Sequence, residues 1–138
     1  MKKILLTAGL LVLLGSFCFA QENKQILSQE TFFRFEKGLK TNRVEEFSNL
    51  LAGKVFISHI EGINGYFSRS QAFYILKDFF AIYQPSNPKF EKINTSATFP
   101  YASGKMQYNL KSSKETAQFY ISLKFEEDTW YISQITIN

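Results

Sequence analysis

Ala117-Gln118-Phe119-Tyr120-Ile121-Ser122-Leu123-Lys124-Phe125 decides the fold. Ala117, Phe119, Ile121, Leu123 and Phe125 fall on one side of an extended chain, and Gln118, Tyr120, Ser122 and Lys124 on the other. A period of two marks a strand with one buried face. The same period extends both ways. Upstream, Met106, Tyr108 and Leu110 alternate with Gln107 and Asn109. Downstream, Tyr131, Ser133, Ile135 and Ile137 alternate with Trp130, Ile132, Gln134 and Thr136. Ser112-Ser113-Lys114 and Glu126-Glu127-Asp128 stand between these runs at hairpin spacing. From Phe90 onward the pattern predicts a four-stranded antiparallel meander with one apolar face.

Before Pro85 the period is that of helices. Phe32, Phe35 and Leu39 share a stripe at i, i+3, i+7, which predicts a helix over 22–40. Asn42 and Glu45 are spaced as a capping box. With Val44, Phe47 and Leu51 they predict a short second helix that ends before Gly53. Val55 to Ile60 reads as a strand, Asn64-Gly65 as a tight turn, and Tyr66-Phe67 as a short return strand. Ser68 and Gln71 form the clearest capping box in the chain. A third helix is expected over 70–83. Its broad apolar face holds Ala72, Ile75, Leu76, Phe79, Phe80 and Tyr83, and Pro85 stops it. Helices first and an antiparallel sheet last predict an α+β fold, with the helices on one face of a curved sheet. Such a cone can hold a ligand at its open end.

Three blocks carry a resemblance. They are Thr41-Asn42-Arg43-Val44-Glu45-Glu46-Phe47, then Tyr66-Phe67-Ser68-Arg69-Ser70-Gln71-Ala72, then Ile75-Leu76-Lys77-Asp78-Phe79-Phe80. Together with the terminal hairpin they resemble a secreted bacterial family, domain of unknown function 4783. The resemblance covers nearly all of the chain after residue 20. It implies a nuclear transport factor 2-like, or cystatin-like, cone. It also implies the periplasm or outer surface of a Gram-negative envelope. It carries no established activity, so it assigns no catalytic residue.

The first twenty residues have the layout of a secretory leader. Lys2-Lys3 is a basic start, Ile4 to Leu14 is almost wholly apolar, and Cys18-Phe19-Ala20 precedes polar Gln21-Glu22. Cleavage is expected after Ala20, leaving 21–138 as a single domain that does not span the membrane. The large Phe17 before Cys18 argues against lipoprotein processing. The full chain has 138 residues, 16 Lys and Arg, 12 Asp and Glu, and a formal charge of +4. Loss of Lys2 and Lys3 would lower this to +2. That charge is scattered and gives no case for nucleic acid. One Cys and one His give no case for a disulfide scaffold or a metal site, and no cofactor motif is present.

The candidate pocket or partner-binding residues are His59, Glu61, Tyr66, Asp78, Tyr108, Tyr120 and Trp130. His59 is the sole imidazole, and Glu61 lies two residues on, so a regular strand would aim both the same way. Asp78 beside Phe79 would be an acid or base if buried. The tyrosines supply phenols, and Trp130 lies off the core stripes. Three functions remain open. One is a non-catalytic module for a small molecule, peptide or protein. The second is an isomerase- or dehydratase-like enzyme using His59 or Asp78. The third is a homodimerisation module.

Overall fold

The computed structural model describes the backbone of residues 2–138 and the side chains of residues 15–138. The basic start and apolar core of the expected leader therefore lie outside the residues described with side chains. Helix α1 spans Lys2–Thr41 and α2 spans Arg69–Tyr83. The strands are β1 (Leu51–Ser58), β2 (Asn64–Ser68), β3 (Ser86–Asn94), β4 (Tyr101–Leu110), β5 (Ser113–Glu126) and β6 (Thr129–Ile137). They form one sheet in the order β2-β1-β6-β5-β4-β3. Both helices pack on the same face. Among the described residues, no helix is long and apolar enough to cross a membrane.

The meander β3 to β6 is antiparallel throughout, as the alternation predicts. The sheet as a whole is mixed, because β1 lies parallel to β6. A strand near the start of the domain thus closes on the last one, and local pattern carries no trace of that partner. The β5–β6 turn places Glu127 and Asp128 at φ 50° and 60°, the two positive angles of a type I′ turn.

Strand β6 departs from a strict period of two. Its ladder with β5 shifts between Ser122 and Leu123, where Ser133 is the extra residue. The bulge lets Trp130, Ile132, Ile135 and Ile137 all face the core. Unbroken alternation puts Ile132 and Ile135 on opposite faces.

The predicted second helix is absent. Two single 3₁₀ turns, Val44–Glu46 and Ser48–Leu50, stand in its place, neither with a side-chain cap. Asn42 ends α1 instead of starting a helix. It has φ 54°, and the Arg43 N–H donates to the Gly38 carbonyl at 2.9 Å. That is the Schellman closure, in which Asn stands in for the usual Gly. Asn suits both an N-cap and a left-handed cap, and the spacing to Glu45 could not separate them. Leu51 begins β1. The β1–β2 turn also differs from expectation. Asn64 and Gly65 already belong to β2, and the positive φ falls on Gly62 at 89°.

Helix α2 begins as predicted. The Ser68 hydroxyl accepts from Gln71 N–H at 3.2 Å, and the Gln71 side chain accepts from Ser68 N–H at 3.0 Å. It ends on Gln84 in the left-handed region, just before Pro85. Phe32, Phe35, Phe47, Phe79 and Phe119, all placed on core stripes by spacing, are at most 2% exposed. Gly104 on β4 leaves room for one of them, since a Cβ there would meet the Phe119 ring at 2.8 Å.

Candidate functional site

The interior of the cone is filled by aromatic rings in series. Centroids run Phe90–Phe119 at 5.6 Å, Phe119–Phe35 at 5.8 Å and Phe35–Phe47 at 5.0 Å. The series continues Phe47–Phe80 at 6.2 Å and Phe80–Phe79 at 6.4 Å. These are normal packing distances for aromatic cores. Along this line the interior of the cone is packed by the protein's own side chains.

The ring series ends at a polar group. Phe79 touches both His59, at 5.0 Å, and Tyr83, at 4.9 Å. His59 is 5% exposed. Its Nδ1 accepts from the Glu61 N–H at 3.2 Å. The His59 backbone N–H donates to Ile63 O at 3.0 Å, and the His59 carbonyl accepts from Gly62 N–H at 2.9 Å. The His59 backbone and ring therefore knot the β1–β2 turn. Burial holds the imidazole pKa below its ordinary value, opposed by the nearby Glu61 carboxylate. The Glu61 carboxylate in turn accepts from the Tyr83 hydroxyl at 2.9 Å. That bond, with desolvation and the carboxylate's charge, raises the Tyr83 pKa. Tyr108 meets Tyr83 edge-on at 5.8 Å.

This geometry limits the chemistry. With Nδ1 committed as an acceptor, the neutral ring carries its proton on Nε2. Neither nitrogen then offers a free lone pair for taking a proton from a substrate.

Three of the expected residues thus meet: His59, Glu61 and Tyr108. Tyr83, which joins them, was visible only as the last apolar position of α2. The others lie elsewhere. Asp78 is exposed on the polar side of α2, so the burial on which its acid or base role depends is not met. Neighbours in a helix are turned about 100° from one another, so Phe79 can be buried while Asp78 stays in solvent. Trp130 is 8% exposed and lies at the other end of β6. Its Nε1–H donates to the Lys24 carbonyl at 2.9 Å, and its ring packs on Phe125 at 4.9 Å. It borders a groove of about 430 Å³ that is also lined by Lys24, Phe99 and Phe125.

Tyr66 and Tyr120 lie on the outer face of the sheet, away from the helices. Tyr66 is 67% exposed and meets Phe56 edge-on at 5.2 Å. Tyr120 stacks on Tyr101 at 5.8 Å. Side chains of Lys92 and Asn94 beside the Tyr101 hydroxyl hold its pKa below the usual phenol value. Tyr131 shares this face, and Ser103, Ser122, Gln134 and Thr136 lie among the rings.

The model of the family "Domain of unknown function (DUF4783)" matches residues 33–138. The chain belongs to that family. Its fold is nuclear transport factor 2-like. A crystal structure of a DUF4783 protein from Bacteroides uniformis is similar to it with a TM-score of 0.66 at 13% identity, covering 74% of this chain and 90% of that one. Another, from Bacteroides ovatus, has a TM-score of 0.63 at 17% identity, covering 73% of this chain and 87% of that one. An NTF2-like protein from Anabaena variabilis has a TM-score of 0.66 at 12% identity, covering 84% of this chain and 88% of that one. No curated protein matches the sequence. At such identities the likeness carries the fold and not an activity.

Proposed function

We propose that this DUF4783 chain is an exported, non-catalytic domain that binds a protein through the outer face of its sheet. The observation that carries the reading is where the aromatic side chains lie. The cone is packed by phenylalanines, whereas the outer face sets Phe56, Tyr66, Tyr101, Tyr120 and Tyr131 among small hydroxyl and amide side chains. Tyrosine is enriched at protein interfaces, and with serine-type neighbours it is the composition of antibody contact loops: large, stiff contact area beside adaptable hydrogen bonds. The use of His59 Nδ1 as an acceptor inside its own turn supports a role without a histidine base. Export, to the periplasm or cell surface of a Gram-negative bacterium, is supported by the leader-like first twenty residues.

The test is photo-crosslinking in the source cells, with a benzophenone amino acid at Tyr120 or, separately, at Asp78. A discrete heavier product is expected from position 120 and not from 78. It should vanish when Tyr101 and Tyr131 are both changed to Ala. Products from position 78 alone would overturn the reading. A product of twice the chain mass would make the domain a homodimerisation module instead.

A further inference from the structure

Three tyrosines of the outer face each carry a cation over the ring. Lys54 stands over Tyr66 at 5.1 Å, Arg69 over Tyr131 at 5.4 Å and Lys92 over Tyr101 at 5.4 Å. All three cations are exposed. None is in an ion pair among the described residues. Arg69 spends its Nε–H on the Leu51 carbonyl at 2.7 Å and keeps its other donors. Two further lysines of this face already have acids, Lys105 with Glu91 at 3.3 Å and Lys124 with Glu126 at 2.9 Å. The face is left with a positive surplus at the positions where its aromatic rings lie.

Resting on the reading of this face as the contact surface, we infer that its partner is an acidic polypeptide segment. A second copy of this chain would bring the same unpaired cations against one another, which costs free energy instead of supplying it. The spacing also fits a polypeptide. Lys54 on β1 and Lys92 on β3 are separated by β6, β5 and β4. At about 4.8 Å per strand this is about 19 Å. An extended peptide advances about 3.3 Å per residue, so carboxylates about six residues apart reach both lysines. The peptide between them would lie over Tyr131, Tyr120 and Tyr101. Nucleic acid and sulfated polysaccharide carry a denser charge and call for a closer row of cations than this sheet supplies.

The test uses the protein isolated from cells that express the full chain, labelled with ¹⁵N. It is titrated with poly-L-glutamate, poly-L-lysine and heparin. Poly-L-glutamate is expected to shift the amide signals of Tyr66, Tyr101 and Tyr131, and poly-L-lysine to leave them unmoved. Binding should weaken about tenfold between low and physiological salt, because exposed charges are screened. Lys54→Gln with Lys92→Gln should weaken it about tenfold more, with the thermal midpoint unchanged. Absence of shifts at those tyrosines overturns the acidic partner. Equal affinity of the double variant overturns its placement. Heparin bound as tightly at the same signals overturns the choice of a polypeptide. In each case a surviving crosslink at Tyr120 leaves the contact-surface reading standing, so the two failures are told apart.

Discussion

At the scale of single residues, a fall in pH acts on His59. Its Nδ1 accepts the Glu61 N–H, and protonation would turn that nitrogen into a donor facing a donor. The folded chain holds the imidazole pKa below its reference value of 6.5, chiefly by burial. Between the two values the unfolded chain binds more protons than the folded one, so stability rises with pH there. The contribution of His59 is therefore complete above about pH 6.5 and is lost as the pH falls toward the folded value. Urea unfolding at pH 7.5 and pH 5 checks this. The midpoint should drop more in the parent than in His59→Asn, which keeps an acceptor near Nδ1 but does not titrate. Equal drops would show that His59 titrates alike in both states. The sequence offered His59 and Glu61 as a pair but could not show what each bonds. A two-residue separation on a regular strand aims both side chains one way. Here β1 ends at Ser58, and the turn sends the imidazole inward and the carboxylate out to Tyr83.

At the scale of elements, local signals with one meaning were legible and ambiguous ones were not. Ser68 and Gln71 sit directly before a long apolar stripe, and the capping box forms. Ser68→Ala should cost about 1 kcal/mol by exposing helix N–H groups that the hydroxyl satisfies. In thermal unfolding that is a loss of about 3–4 °C for a domain of this size. Ser68→Asp, which keeps the acceptor, should recover most of it. No loss in the Ala variant would mean that water caps the helix equally well. Asn42 shows the other case. Its spacing to Glu45 is that of an N-cap, yet its backbone is left-handed and closes α1. Val44 and Phe47 are buried as their period implies, but 3₁₀ turns deliver them to the core. Burial was readable because it follows from side-chain chemistry. The element was not, because a run this short has too few hydrogen bonds to favour one helix type. Strand β6 makes the same point, since its single bulge at Ser133 reverses the face of everything before it.

At the scale of the whole molecule, one hydrogen bond joins parts of the chain 106 residues apart. The Trp130 indole N–H donates to the Lys24 carbonyl and ties α1 to the start of β6. Trp130→Phe removes the donor and part of the ring. It should cost about 1–2 kcal/mol. Hydrogen exchange should quicken over residues 21–27 while β4 and β5 stay protected, and an unchanged rate there would show that the helix is held by packing alone. The sequence by itself determined the α+β class, the apolar face of the meander, the α2 cap and the phenylalanine core. Those follow from periodicity and from side-chain preferences that act over a few residues. The parallel pairing of β1 with β6, the filling of the cone, the His59–Glu61–Tyr83 arrangement and the three tyrosine–cation pairs were decided only by the tertiary structure. Each depends on how separate elements are placed against one another. Their contact depends on strand order, sheet curvature and packed volume, and no local pattern encodes these.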